Sequence, residues 1–447
     1  FGRSFATVWG LFLLLRLGIT ALAIELGRRF LSGPWSAGPA LLLLLFPGPL
    51  HKGFYLLGTL LLLAALLRYV EAPGSSRALG LGLAVGLVAA FRLDLGGFGV
   101  LLGVAAVLRA RRPLGDFLRV LAPLAVGLAV TFGVLLVSGE GVASAVIEQL
   151  LDDILKNQTI KEPGFPGPLA LLRFDGVDPW LLWLPLPVYG LLGLRLVRGL
   201  RGSPPGERVP ELEERLVLLG LGVLTCNQIA MKPEFGHFLQ AAPVLWLASC
   251  LLLDEAWARA SGSLPRVAVL GVAVALPSVL LANTLTTHRN SIYTGSFTIP
   301  WERSERLETP LGSVGLNPGE HAALAPLLAA LEQLPPGPLW VPTNQPLLYS
   351  LADREDVTGH LGVVYYADNP QREALVIERL EAAQPPFAVF VDDSIEGPER
   401  TLGIAAPEVR AYLERSYSEH SRSGTCGAAQ PEGCFRLMLR RETPPQD

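Results

Sequence analysis

The sequence predicts an α-helical polytopic membrane bundle of about ten spans followed by a small extracytoplasmic α/β domain. Half of the residues are hydrophobic, only 17% are charged and mean hydropathy is positive, which lies outside the usual range of soluble globular chains. Apolar runs of spanning length, or nearly so, recur through residues 1–286. From about Thr287 the composition turns ordinary, and short β-like runs alternate with helical ones, the pattern of a layered α/β domain.

The apolar runs lie at about 5–27, 36–50, 53–69, 77–91, 95–109, 118–137, 180–199, 214–230, 237–253 and 266–286. Many are rich in Leu, Val, Ala and Gly, and the small residues suit close helix packing in lipid. Arginines then orient the bundle: Arg28 and Arg29, Arg68 and Arg77, Arg109 to Arg119, Arg195 to Arg215, and Arg259 with Arg266 occupy alternate connections. Cytoplasmic loops carry such an excess. The complementary connections therefore face outside: the one with His51 and Lys52, the turn from Arg92 to Gly97, the long connection from Ser138 to Pro179, and Met231–His237. Everything after the last span is outside by the same parity. The composition is that of a bacterial protein, which places the bundle in the inner membrane. The chain opens at Phe1 with no export signal, although parity puts that end outside. Both features predict a natural chain that begins earlier, with a span and an outer loop ahead of Phe1.

The long connection 138–179 reads as an amphipathic surface helix, Val146 to Lys156, followed by a Pro/Gly-rich turn, Glu162 to Pro168. Its Asn157-Gln158-Thr159 has the form of a glycosylation acceptor, a triplet that arises readily by chance. In the domain 287–447, Leu339–Pro342, Val363–Tyr366 and Phe387–Val391 read as strands, and Glu320–Gln333, Pro370–Ala383 and Pro407–Ser416 as helices. The segment Cys434 to Leu439 reads as an edge strand. Cys226 and Cys250 fall in apolar runs, where cysteine acts as a small hydrophobe. Cys426 and Cys434 bracket a Gly/Pro-containing turn, and in an oxidising compartment a disulfide between them closes that hairpin.

Two outer turns carry candidate chemistry. In Met231–His237, Pro233 stops a helix and Gly236 permits a tight turn, leaving Lys232, Glu234 and His237 at the water interface. A cation there could hold a phosphate, and Glu or His could exchange a proton with a hydroxyl; the plainer reading is a snorkelling lysine with a helix-capping carboxylate. In the other turn Arg92 and Asp94 sit between apolar residues. An arginine fork suits a phosphodiester or pyrophosphate, but the two side chains could equally pair with each other at a span end.

Other chemistries lack their motifs. There is no phosphate loop ending in Gly-Lys-Ser/Thr, no His-Glu-x-x-His and no Cys-x-x-Cys, and the near-neutral charge excludes an electrostatic footprint for nucleic acid. No cofactor is certain and no metal site is assigned, while a divalent metal stays open. A divalent cation at Asp152 and Asp153 needs further oxygens, because helical neighbours point about 100° apart; the other polar residues of that loop, Lys156, Arg173, Asp175 and Asp178, read as a solvated face, and Asp392-Asp393 as a turn cap.

The segment Gly86 to Gly96, the loop Ile147 to Pro168, the turn Lys232 to Pro243, and the tail segments Trp340 to Tyr349 and Phe387 to Asp392 together resemble bacterial membrane glycosyltransferases of the GT-C superfamily. That class includes protein mannosyltransferases and lipid A aminoarabinose transferases. The resemblance implies transfer of a sugar from a polyprenyl-phosphate carrier to an outer-face acceptor, whether glycan, lipid or protein. It makes Arg92 and Lys232 the candidates for the donor phosphate, and Asp94, Glu234 and His237 the groups that position donor sugar or acceptor. The acidic catalytic motif of that family lies in a first outer loop after an initial span, and neither is present here, so no catalytic residue is named. An outer-face polysaccharide polymerase or ligase, and a catalytically degenerate binding or assembly protein, are the alternatives.

Overall fold

The computed structural model describes residues 5–45, 53–109, 125–126, 129, 133, 178–202, 209–231, 235–286, 304–343, 345, 347–358, 363, 367, 369–391, 401–424 and 434–441. The chain divides into two compact units, residues 12–298 and residues 299–447 together with 1–11.

The first unit is helical: α1 (Phe5–Phe30, from Phe12 on), a short 3-10 turn (Gly33–Ala37), α2 (Gly38–Leu45), α3 (Gly53–Glu71), α4 (Ser75–Phe91), α5 (Leu93–Arg109), α6 (Asp178–Trp183), α7 (Pro185–Gly202), α8 (Pro210–Met231), α9 (Phe235–Arg259) and α10 (Ser263–Thr286). Basic residues occupy the last turns of α1, α3, α5, α7 and α9, and acidic ones the first turns of α5 and α8. Each sign complements the helix macrodipole at that end.

Because the helices run antiparallel, the basic last turns meet the acidic start of α8. Arg29 pairs with Glu214 and, at 3.8 Å, with Glu71. Arg109 reaches Glu213 at 3.6 Å, and Glu255 of α9 takes Arg195, Arg215 at 2.7 Å and Arg259 at 3.3 Å. Asp254 accepts both the backbone N–H and the hydroxyl of Ser32, each at 2.7 Å. This is the basic end of the unit.

Its core is built around α9, whose residues 238–251 are all buried. The interior proline of α9, Pro243, costs one backbone hydrogen bond, a loss that packed neighbours in membrane helices offset. By contrast α10 exposes Leu264, Val267, Leu270, Val272 and Val274, an apolar face suited to lipid.

Among the described residues, five helices are long and apolar enough to cross a membrane: Gly10–Phe30, Gly53–Glu71, Trp180–Gly202, His237–Arg259 and Ser263–Ala282. Gly33–Leu45 and Ser75–Ala89 are shorter apolar helices. At 1.5 Å per residue the eight residues of α2 reach about 12 Å, well short of a hydrocarbon core of roughly 30 Å. Of the expected run 118–137 only residues 125–126, 129 and 133 are described, and of the connection 138–179 only 178 and 179.

The second unit contains the hairpin β1 (Glu305–Leu307) and β2 (Val314–Leu316), then α11 (Pro318–Gln333), β3 (Leu339–Trp340), α12 (Leu347–Leu351), α13 (Pro370–Ala383), β4 (Phe387–Val391), α14 (Leu402–Ala405), α15 (Pro407–Ser416), β5 (Tyr417–Ser423) and β6 (Phe435–Arg440). The main sheet has the order β3-β4-β6-β5, parallel between β3 and β4 and antiparallel elsewhere. One face packs Val389, Phe435 and Leu437 against Leu327 and Leu331 of α11. The other packs Trp340, Ala388 and Phe390 against Val376 and Leu380 of α13 and Tyr412 and Leu413 of α15. β4 is therefore buried at every position, as a strand covered on both faces must be.

Local chemistry sets the helix starts. Asn317 and Glu320 form a capping box at 2.8 and 3.0 Å, and Asn369 caps α13 by accepting from the Arg372 N–H at 3.0 Å. The buried Glu373 carboxylate accepts the N–H groups of Glu408 and Val409 at 2.7 and 3.2 Å, binding α13 to the start of α15.

Two expectations need correction. Cys434 to Leu439 corresponds to β6, which is an interior strand between β4 and β5 and not an edge. Among the described residues the edges are β3 and β5, and the polar Ser418-Glu419-His420 stretch of β5 carries no apolar alternation from which to read a strand. Val363 is helical, with the Ala367 N–H donating to its carbonyl at 2.8 Å; β-propensity of Val gave way there to local helical bonding. Residues 364–366 lie outside the described residues.

Candidate functional site

At the end of the helical unit opposite the basic one, α4 stops and α5 starts with one residue between them. Arg92 is that residue. Its backbone is extended, φ −155° and ψ 111°, its N–H donates to the Val88 carbonyl, and its own carbonyl accepts from the Gly96 N–H. It thus closes one helix and opens the next, which holds its side chain on a fixed base. Behind it the helices approach closely: a Cβ on Gly96 would lie 2.5 Å from Ala89 Cβ and 2.8 Å from Ala89 Cα. The Gly-Gly pair of this turn thereby acquires a packing reason at its first member.

The guanidinium forks onto Asp94, Nε to Oδ1 and Nη2 to Oδ2, both at 3.0 Å. Asp94 stands in the first turn of α5, where the macrodipole favours a carboxylate. From α8, Gln228 joins both partners: its Oε1 accepts from Arg92 Nη2 at 3.3 Å and its Nε2 donates to an Asp94 oxygen. The Tyr55 ring of α3 lies under the guanidinium, 4.3 Å from its central carbon, a cation–π contact. An arginine has five N–H donors, and among the described residues the two on Nη1 have no hydrogen-bond partner. The Arg92 and Asp94 side chains keep 37% and 33% of their surface exposed. The arrangement can bind an oxyanion along its free guanidinium edge.

Of the expected site residues, Arg92 and Asp94 are brought together. His237 lies half-buried in the first turn of α9. Lys232 and Glu234 lie outside the described residues, as do Asp152, Asp153 and Cys426. Cys434 is disulfide-bonded, and Cys226 and Cys250 are free thiols. Among the described residues, no group of three or more His, Cys, Asp or Glu side chains converges as a metal would need. Gln228 and Tyr55 were not expected. Gln228 carried a signal, since it and Asn227 are the amide side chains in the run 214–230, and polar groups inside apolar spans are costly. Tyr55 carried none beyond a hydroxyl at the start of an apolar run.

No protein-family model matches the chain, and no curated protein matches it. Among solved structures it is similar to the crystal structure of an Archaeoglobus fulgidus oligosaccharyltransferase tethered through a disulfide to an acceptor peptide containing the NVT sequon. That match has 14% identity and a TM-score of 0.44, and covers 92% of this chain and 60% of that one. It is also similar to the oligosaccharyltransferase AglB of the same archaeon in complex with an inhibitory peptide and a dolichol-phosphate, with 12% identity, a TM-score of 0.46, and coverage of 97% and 63%. The chain spans less than two thirds of the length of either. These likenesses assign no residue of this chain, and the geometry at Arg92 stands without them.

Proposed function

We propose that this chain is a membrane glycosyltransferase of the GT-C kind, taking a sugar from a polyprenyl-phosphate carrier at the outer face of a bacterial inner membrane and passing it to an outer-face acceptor. The observation that carries the proposal is Arg92: a guanidinium fixed between two helices at a bundle end, with Nε and Nη2 committed and, among the described residues, the two Nη1 donors open to a phosphate. Lys232 is the second cation of the reading. Asp94, Glu234 and His237 position the sugar or the acceptor. Charge on the departing phosphate is stabilised by the two cations, and the acceptor hydroxyl loses its proton to a carboxylate that the reading does not assign. The same reading counts ten spans within residues 1–286, sets the loop 138–179 and residues 287–447 on the outer side, and closes Cys426 to Cys434.

The test is sugar transfer from a polyprenyl-phosphate donor by the full protein in proteoliposomes. Lys232→Ala should abolish transfer while leaving thermal unfolding unchanged; undiminished turnover would sink the assignment. A second reading has an observation of its own. The bidentate Arg92–Asp94 contact is also what a simple staple across the α4–α5 turn would show, and under that reading Arg92→Ala lowers stability without touching polyprenyl-phosphate binding.

A further inference from the structure

The open Nη1 side gives a phosphate its first contact, but as long as the guanidinium stays forked onto Asp94 the pair is neutral and the carboxylate repels the anion, so full engagement needs the pair to open. Resting on the phosphate reading above, we infer that Gln228 is a positioning residue that makes the Arg92–Asp94 pair exchangeable. Its amide faces both members with matched polarity: oxygen toward the guanidinium donor, nitrogen toward the carboxylate acceptor. The opposite flip would set oxygen against oxygen and N–H against N–H. Gln228 is itself buried and comes from another helix, α8, so it stays in place when the Arg92 side chain moves.

When a lipid phosphate draws the guanidinium away, Asp94, a third of whose side chain is exposed, loses two charge-assisted bonds. The Gln228 Nε2–H bond remains and keeps the carboxylate satisfied. Without it, phosphate binding would strand a part-buried charge, which is costly. The amide therefore lowers the cost of opening the pair and leaves Arg92 attached to the bundle through its Nη2. No bond is made or broken covalently; the step is an exchange of hydrogen-bond partners.

The experiment is a double-mutant cycle on the full protein in nanodiscs, titrated with polyprenyl phosphate, with inorganic phosphate as a competing arm to separate headgroup from lipid recognition. Gln228→Leu should weaken binding about tenfold, the worth of one hydrogen bond to a charged group. Asp94→Asn should strengthen binding, and in that background Gln228→Leu should cost less than about twofold, since no carboxylate is left to strand. Gln228→Glu keeps the shape and places a second carboxylate against Asp94, so it should weaken binding more than Leu does; it also serves if the Leu variant fails to fold. Equal losses from Gln228→Leu in both backgrounds would overturn the inference and leave a structural glutamine. Unchanged binding on Arg92→Ala would instead refute the phosphate reading itself. Displacement by inorganic phosphate identifies the phosphate group as the recognised element; failure to displace, with the coupling absent, counts against Gln228 acting at the headgroup.

Discussion

The two ends of the helical unit use arginine in opposite ways. At the basic end four carboxylates are each engaged by another helix or turn: Glu255 holds three arginines, Glu214 holds Arg29, Glu213 holds Arg109, and Asp254 is taken by Ser32. At the other end one arginine meets one carboxylate and one amide, with two N–H groups to spare among the described residues. The first arrangement fastens helix termini to one another. The second holds a charge at fixed orientation and leaves part of it unspent, which is what a ligand needs and a staple does not.

Substitutions can break this contrast. The largest effect is expected from Glu255→Ala, which strands the part-buried Arg195 and Arg215 and should destabilise by about 3 kcal/mol, read as a lower unfolding temperature in detergent with polyprenyl-phosphate binding unchanged. Gly96→Ala comes next. Its Cβ would drive α5 off Ala89, costing about 2 kcal/mol as overpacking does, and because the strain falls at the Arg92 turn, binding should fall along with stability. Asp254→Ala should cost about 1–2 kcal/mol through two lost hydrogen bonds to Ser32, measured by the same unfolding assay, again without effect on binding.

Arg92→Ala sharpens the comparison from the other side. Stability should drop by less than about 1 kcal/mol, as for a pair one third exposed, while polyprenyl-phosphate affinity falls about tenfold or more. A large loss of stability with intact affinity would make the two ends alike. The smallest effect belongs to the exposed pair Glu419–Arg422 on β5. The hydrogen bond from Arg422 holds the Glu419 carboxyl below its ordinary value, so its contribution is present above the unfolded carboxylate value and is lost as pH falls through the folded one. Glu419→Gln should therefore leave unfolding near neutral pH almost unmoved and flatten only the acid limb of a pH–stability curve.

Much of this architecture is local and was readable. The helices Pro370–Ala383 and Pro407–Ser416 and the strand Phe387–Val391 begin and end where Asn, Pro and the apolar pattern put them. Arg92 and Asp94 were readable as a charged turn between apolar runs. The place of β6 inside the sheet was not, because a strand's neighbours depend on which segments return to it, and β5 advertises itself poorly with a polar sequence. The two-residue β3 was likewise longer in expectation than in the structure, since the Val341 N–H donates to the Tyr349 hydroxyl at 2.9 Å and Pro342 has no N–H to give a ladder.

Sequence by itself determined the apolar helices, their charged termini and the change of character near residue 287, because hydrophobic period, dipole complement and turn chemistry act over a few residues. Only the tertiary structure decided what Arg92 touches. Gln228 is 136 positions away and Tyr55 lies on a different helix, and such contacts are set by how α3, α4, α5 and α8 pack. Among the described residues that packing leaves the two Nη1 donors of the guanidinium without a partner, and from them the functional proposal follows.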